Sequence, residues 1–221
     1  MKIIKKNSER SLIKEFISIF KKCLSEKTKS KKRLSFVLTG GSSPKNLYKE
    51  LAKANIDWSN VDLFWGDERF ISSKSKDSNY KMANDLLISK IKIKKKNLFK
   101  INTNILNISK CSLNYRNSLK RYFKNRIIRF DFFLLGMGKD GHIASIFPKT
   151  DFLKDQSITK TVSRKDFKRI TLNLHIINKS KKIILFLNKK SKTLIFNNLS
   201  KNDNAPVKFL NRKKLTCLQI N

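Results

Sequence analysis

The chain has 221 residues, of which 39% are hydrophobic and 10% aromatic, which is enough for one large core and argues against disorder. No apolar run approaches the ~20 residues that span a bilayer, and the basic start lacks the apolar centre of a secretory signal.

Lys and Arg number 51 against 16 Asp and Glu, a net charge of +35. The basic residues are spread from end to end and are mostly Lys, whereas Arg suits bidentate base recognition. We therefore attribute the charge mainly to codon-level drift, and expect non-specific polyanion adhesion without a specific nucleic-acid partner.

Predicted helices and strands alternate along the chain. Residues 8–24 place apolar side chains at helical spacing, and LSFVL (34–38) is apolar almost throughout, as in a strand buried on both faces. In chain order we expect a helix over 8–24, a strand over 34–38, a helix over 43–54, a strand over 61–65, a helix over 78–91, a strand over 97–101, a helix over 111–125, strands over 130–137, 168–174 and 181–187, a helix over 190–199, and a last strand or sheet edge over 205–210.

This alternation predicts an α/β fold, with a mostly parallel sheet and helices on both faces. The sequence contains no internal repeat and no linker rich in Pro, Gly or Ser, so we expect a single domain over 1–221. The segment 149–168 is the longest predicted loop and therefore the candidate for a flexible lid.

Polar motifs follow three of the predicted strands. TGGSSP (39–44) follows the first, GDERF (66–70) the second and GKDGH (138–142) the most apolar one. In open α/β sheets, ligands bind beyond the carboxyl ends of the strands. The glycine pair before a helix indicates an anion cradle of backbone amides, although a plain tight turn would have the same sequence. GDERF likewise fits a solvated loop with a local Asp–Arg pair.

His142 is one of only two histidines in the chain. A neutral imidazole can make a water nucleophilic and later protonate a departing oxygen, because the ordinary pKa of histidine is about 6.5. We therefore predict that His142 is a general base. Asp140, two residues earlier, could orient the ring or stabilise the imidazolium. Backbone amides of the glycine loops, including Gly138 and Gly141, are candidate oxyanion donors.

Three blocks carry a family resemblance: LTGGSSPKNLYKELA (38–52), WSNVDLFWGDERFISSKSKDSNYKMANDLL (58–87) and FDFFLLGMGKDGHIASIFP (130–148), with a weaker one in RITLNL (169–174). They resemble the signature blocks of bacterial-type 6-phosphogluconolactonases, within the glucosamine/galactosamine-6-phosphate isomerase superfamily. The resemblance implies a modified Rossmann-like fold. It also implies metal-free hydrolysis of 6-phospho-glucono-δ-lactone to 6-phosphogluconate, the second step of the oxidative pentose phosphate pathway, without a cofactor.

The resemblance also implies which residues bind the sugar phosphate. The positions that match the family's substrate or phosphate contacts are Gly40, Gly41, Ser42, Arg69, Arg169 and Lys192. A guanidinium fork suits an anionic oxygen pair. The chain departs from the family pattern around Asn188 and Lys189, and the segment before Arg169 reads SRKDFK.

Two alternatives remain open. An amino-sugar-phosphate deaminase or isomerase typically carries D-E-Y where this chain has Asp67-Glu68-Arg69, and an N-G-H turn followed by F-N-E-P where this chain has DGHIASIFP. A basic nucleic-acid-binding protein would need a clustered basic face and does not account for GMGKDGH.

The remaining polar residues favour structural roles. Ser78 and Asn79 fit a helix cap better than catalysis, and His175, in an apolar strand-like pattern, is expected to be structural. Three cysteines far apart argue against disulfides and for a reducing, cytoplasmic setting. Two distant histidines and scattered cysteines make no metal-ligand set, and we expect a monomer.

Overall fold

A seven-stranded parallel sheet forms the centre of the molecule in the computed structural model, which describes residues 1–148, 150–199 and 204–221. The strands are β1 (Lys2–Lys6), β2 (Leu34–Leu38), β3 (Val61–Trp65), β4 (Asp67–Arg69), β5 (Leu98–Phe99), β6 (Phe132–Leu135), β7 (Thr159–Ser163), β8 (Lys168–Leu172), β9 (Lys182–Leu187) and β10 (Leu215–Ile220). The large sheet has the order β1-β10-β9-β6-β2-β3-β5, and all its neighbouring strands are parallel. Every residue of β2, β3 and β6 is buried, so both faces of the sheet are covered, as the apolar runs predict.

Six α-helices are found among the described residues: α1 (Glu9–Lys29), α2 (Lys45–Lys53), α3 (Asn79–Leu86), α4 (Ile108–Tyr122), α5 (Leu174–Lys179) and α6 (Lys190–Asn198). Local sequence explains their beginnings. The side chain of Ser8 accepts a hydrogen bond from the backbone of Ser11 at the start of α1, and Ser78 accepts one from Lys81 at the start of α3. The predicted capping role of Ser78 is therefore confirmed. None of the described helices is both long and apolar enough to cross a membrane.

Phenylalanines fill the space between α1 and the large sheet. Phe16 and Phe20, one helical turn apart, meet Phe132 edge-on at ring-centroid distances of 5.5 and 5.3 Å, and Phe36 lies 4.9 Å from Phe20. All four rings are fully buried. Truncating a ring of this kind to Ala costs about 3–5 kcal/mol, so this cluster fixes α1 against the strands whose carboxyl ends carry the polar motifs.

A second, antiparallel sheet has the order β4-β8-β7. The prediction that residues 168–174 continue the parallel sheet was wrong, because β8 pairs antiparallel with β4 and β7. The lid predicted over 149–168 also needs correction: Lys149 lies outside the described residues, and 159–163 form β7, paired with β8 along its whole length. Within TKTVS only Thr159 is buried, so this edge strand has no apolar run for a sequence pattern to detect.

The carboxyl-terminal prediction was wrong as well. Residues 206–209 form a 3-10 turn, and the last strand is β10, whose buried Thr216 and Gln219 interrupt the apolar run that a sequence pattern detects. His175 lies on the short helix α5 rather than on a strand, after Asn173 has capped that helix. Burial, followed by the charge of Lys179, lowers the pKa of His175.

Buried carboxylates hold some of the basic residues in place. Asp131 contacts Lys27 at 2.6 Å and Lys181 at 2.9 Å, and Asp62 accepts hydrogen bonds from Arg33 and Tyr122 at 2.9 Å. With 51 basic and 16 acidic residues, however, the Lys and Arg side chains carry a large excess of positive charge that no carboxylate neutralises. Their mutual repulsion acts against the compact state.

Moderate salt is therefore expected to stabilise the fold. Raising NaCl from about 20 mM to about 200 mM shortens the Debye length to below ~10 Å and screens the repulsion, so Tm should rise by several degrees. Differential scanning fluorimetry measures the shift, with an equal osmolarity of an uncharged osmolyte as the control. A flat or falling Tm would contradict the repulsion argument.

Candidate active site

A polar cleft of about 620 Å³, part of it open to solvent, lies at the carboxyl ends of the central parallel strands. It contains the loops that follow β2 and β6, the beginning of α6, and β4 and β8 of the antiparallel sheet. Its lining residues are Thr39, Gly40, Gly41, Ser42, Ser43, Asp67, Arg69, Asn79, Gly136, Met137, Gly138, His142, Ala144, Arg169 and Lys192. The structure thus brings together eight of the ten site residues that the sequence predicts, and a ninth, Asp140, contacts the ring of His142.

His142 is fixed by the turn that follows β6. Its Nδ1 lies 2.5 Å from Oδ1 of Asp140, and its backbone N–H donates to the same oxygen at 3.2 Å. The ring also packs at a tilt against Phe147, with centroids 4.5 Å apart. Because Nδ1 faces the carboxylate, Nε2 is the ring nitrogen that remains for another partner.

The carboxylate beside His142 is held in its charged form. Partial burial works to raise the pKa of Asp140, but the charge of His142 and its hydrogen bonds outweigh burial and leave the pKa below its ordinary value. An ionised Asp140 next to the imidazole stabilises a positive charge on the ring.

Two arginines face each other across the antiparallel sheet. Arg69 of β4 and Arg169 of β8 occupy directly opposite positions in the register. Arg69 donates through Nη1 to the backbone oxygen of Asp77 at 2.6 Å, and Arg169 pairs with the exposed carboxylate of Asp166. Like charges at opposite positions of a strand pair are destabilising. This arrangement is therefore suited to an anion that lies between them.

Glu68 anchors the strand that carries Arg69. Its buried carboxylate accepts hydrogen bonds from the backbone N–H groups of Arg69, Asn79 and Tyr80 at 2.7–2.8 Å and from Oγ of Ser78 at 3.1 Å. Burial raises the pKa of Glu68 even though these donors act to lower it. The carboxylate ties β4 to the beginning of α3, and so fixes the backbone of Arg69.

The loop after β2 presents free amides to the cleft. The N–H groups of Gly40, Gly41 and Ser42 donate to no other group in residues 1–148, 150–199 and 204–221. Gly41 has φ +83°, a conformation that favours glycine. A Cβ on Gly40 would lie 2.0 Å from Oδ1 of Asn79, so the glycine is needed there for close packing as well.

Lys192, from the first turn of α6, reaches this loop. Its Nζ donates to Oγ of Ser43 at 2.7 Å. Burial, and then the charge of Lys189, lower the pKa of Lys192. The ammonium group thus lies beside the free amides that follow β2, although the sequence departs from the family pattern just before it.

The amides of Gly138 and Gly141 do not fit the predicted oxyanion role. Gly138 N–H donates to the carbonyl of His142 at 2.9 Å, and Gly141 N–H donates to the carbonyl of Gly138 at 3.1 Å. Gly141, with φ +78°, packs against Ala205 rather than lining the cleft. Both amides hold the turn that carries His142 together, which corrects the prediction of free donors.

Asp67, Asn79 and Phe147 also belong to the site, although the sequence did not predict them as site residues. Asp67 lines the cleft and accepts a hydrogen bond from Ser145 Oγ at 2.6 Å, and Asn79 donates to the backbone oxygen of Asp67 at 2.9 Å. Phe147 supports the His142 ring. GDERF places Asp67 at a strand end, which is a usable signal, whereas the positions of Asn79 and Phe147 depend on tertiary packing.

A family model described as glucosamine-6-phosphate isomerases/6-phosphogluconolactonase matches residues 7–218. The chain belongs to this family. A relative in Synechocystis named 6-phosphogluconolactonase is 33% identical over 162 residues, which cover 72% of this chain and 68% of the relative.

Solved structures of the family share the Rossmann-like α/β fold. The crystal structure of 6-phosphogluconolactonase from Thermotoga maritima matches with a TM-score of 0.84 and 26% identity, over 99% of this chain and 97% of that one. A structure described as a monomeric glucosamine-6-phosphate deaminase matches with a TM-score of 0.82 over 100% of this chain and 98% of that one, at 22% identity. This second likeness concerns the fold alone.

The cleft is built from hydroxyl, amide and cationic groups around one histidine. Among residues 1–148, 150–199 and 204–221, no group of three or more His, Cys, Asp or Glu side chains could hold a metal ion. The side chains that line the cleft include one imidazole that can transfer a proton, His142, and three cations that can bind an anion, Arg69, Arg169 and Lys192.

Proposed function

We propose that the protein hydrolyses 6-phospho-D-glucono-1,5-lactone to 6-phospho-D-gluconate, with a water activated by His142. The observation that carries the proposal is that a histidine held through Nδ1 by Asp140 shares one cleft with the opposed pair Arg69 and Arg169. The lactonase names of the Synechocystis and Thermotoga relatives support the same activity.

The proposed reaction needs only one proton carrier. Nε2 of His142 takes a proton from water while the water oxygen adds to the lactone carbonyl carbon. The tetrahedral adduct then collapses, the bond between that carbon and the ring oxygen breaks, and the imidazolium returns the proton to the departing oxygen. Asp140 stabilises the imidazolium between the two transfers. Such assistance typically contributes about 10²–10⁴-fold to the rate.

The phosphate is bound by fixed cations and amides. The free N–H groups of the 40–42 loop lie just before α2, whose N-terminus favours negative charge. Arg169 and Lys192 line the same cleft and supply full positive charges. Arg69, opposite Arg169 in the ladder, contacts the substrate beside the phosphate.

Two assays test the activity directly. Purified protein is given freshly prepared 6-phosphogluconolactone, and separately glucosamine 6-phosphate with ammonia release as the readout. We expect lactone hydrolysis well above the spontaneous rate and no ammonia. Deamination without lactone hydrolysis would favour the sibling activity. The absence of both activities would overturn the proposal.

Asp140→Asn is expected to lower kcat about tenfold and to move the acid limb of the rate profile to lower pH. The amide still offers an oxygen to Nδ1–H, but it no longer stabilises the imidazolium. The pKa of Asp140 is lowered in the folded protein, so the wild-type carboxylate is still ionised at pH values where an ordinary Asp becomes protonated. It loses its charge only as pH falls through the lowered pKa. Asp140 itself therefore does not produce that limb. Initial rates between about pH 5 and pH 9 measure the shift, and an unmoved limb would contradict the role of Asp140.

Further expectations from the sequence stay predictions. They are a single domain over 1–221, a monomer in the cytoplasm, no cofactor, and adhesion to polyanions without a specific nucleic-acid partner.

A further inference from the structure

A hydrogen-bond chain connects three strand ends behind the cleft. Asn188 follows β9 directly, and its Nδ2 donates to Oε1 of Glu9 at 2.7 Å and to the backbone oxygen of Ser43 at 3.1 Å. Glu9 is the first residue of α1, which follows β1, and Ser43 follows β2. Lys192 completes the chain through Oγ of Ser43 at 2.7 Å.

The chemistry of these partners fixes the orientation of the Asn188 amide. A carboxylate and a carbonyl can only accept, so the NH₂ group must face both of them. The opposite atom, Oδ1 of Asn188, is then buried without a hydrogen-bond partner among the described residues. An unsatisfied buried carbonyl is unfavourable, and a small apolar residue at this position would avoid that cost. The presence of an amide at position 188 is therefore better explained by the two hydrogen bonds that its NH₂ group donates, to Glu9 and to the backbone of Ser43.

The chain of contacts crosses the end of the strand that leads to His142. In the sheet, β6 lies between β9 and β2, so the bridge from Asn188 to Ser43 passes over β6. Ser43 is buried, and a displacement of its backbone would move the hydroxyl that orients Lys192.

We infer that Asn188, held by Glu9, is a positioning residue that fixes Ser43 and thereby the Lys192 ammonium group in the anion-binding part of the cleft. The inference rests on the proposed function in so far as Lys192 contacts the substrate phosphate.

Steady-state kinetics of lactone hydrolysis test the inference. Asn188→Ala and Glu9→Ala should each raise KM about tenfold, with kcat changed less than about threefold, because the phosphate contact is displaced while His142 is untouched. Glu9→Gln keeps an acceptor oxygen for Asn188 and should restore most of the affinity. Asn46→Ala is the matched control: Asn46 donates to the other oxygen of Glu9, at 3.0 Å, and should leave KM within about twofold.

A double-mutant cycle separates positioning from a general loss of stability. In the Lys192→Met background, Asn188→Ala should raise KM by less than about twofold, because its effect acts through the missing ammonium group. Additive effects would overturn the inference, as would an Asn188→Ala variant that lowers Tm and leaves KM unchanged. If Asn188→Ala does not fold, the same cycle is made with Glu9→Ala, whose side chain is only half-buried.

Calorimetric titration with 6-phosphogluconate distinguishes a failure of the positioning inference from a failure of the proposed hydrolysis. It is done at about 200 mM NaCl, where surface charges are screened. A wild type that binds 6-phosphogluconate more tightly than Asn188→Ala, but hydrolyses no lactone, would support the positioning inference and overturn the hydrolysis. Equal binding by wild type and Asn188→Ala, or no binding by wild type, would overturn the inference whatever the activity.

Discussion

His142→Asn is expected to lower kcat for lactone hydrolysis by about 10²–10⁴-fold, the range that general-base assistance supplies. Asparagine is close to histidine in size and polarity but has no nitrogen that can accept a proton at neutral pH. KM should change less than about threefold, because the phosphate contacts lie on other elements. Initial rates corrected for spontaneous hydrolysis give both constants.

The matched control uses the only other histidine. His175 lies on α5 and is not among the residues that line the cleft. His175→Asn should keep kcat within about twofold of the wild-type value, since it touches neither the general base nor the anion site. A His142→Asn enzyme that kept more than about a tenth of the wild-type kcat would show that another group activates the water.

Local sequence was enough to find the chemistry-bearing loops. TGGSSP, GDERF and GKDGH each begin where an apolar strand ends, and in a parallel sheet those ends meet at one edge. This rule places the 40–42 loop and His142 together without any knowledge of the side-chain contacts. The resemblance added Arg169 and Lys192, which no local pattern distinguishes among 51 basic residues.

Contacts set by tertiary register could not be predicted in this way. The opposition of Arg69 and Arg169 depends on an antiparallel pairing of β4 with β8, whereas the apolar residues of β8 suggested a strand of the parallel sheet. The bridge from Glu9 to Asn188 joins residues at opposite ends of the sequence. Neither pairing leaves a periodic signal, because each partner alone is an ordinary polar residue at the end of an element.

The glycines of the His142 turn show the same limit on a smaller scale. GKDGH predicts a turn, and the turn is present, but the sequence does not say where its amides point. Gly138 N–H is used by the carbonyl of His142, and Gly141 N–H by the carbonyl of Gly138. The physical requirement for Gly138 is therefore space under the imidazole rather than a free donor.

That requirement predicts a large effect for Gly138→Ala. A Cβ at position 138 would lie 2.1 Å from both Cε1 and Nδ1 of His142 and 2.9 Å from Oδ1 of Asp140. The ring must move by about 1 Å or more to escape this overlap, and a displacement of that size typically costs about 10²-fold in rate. We expect kcat to fall by at least that factor while Tm changes by only a few degrees, because Ala also reduces the entropy of the unfolded chain.

Two further variants show whether the loss acts through the ring. Gly66→Ala is the control, since its Cβ would make only a van der Waals contact of 3.4 Å with Phe133, and it should keep kcat within about threefold. In the His142→Asn background, Gly138→Ala should cause little additional loss, because the base that it displaces is already absent. Equal losses from Gly138→Ala in both backgrounds would mean that the methyl group disturbs the cleft elsewhere, and the steric argument for the glycine beneath His142 would then be wrong.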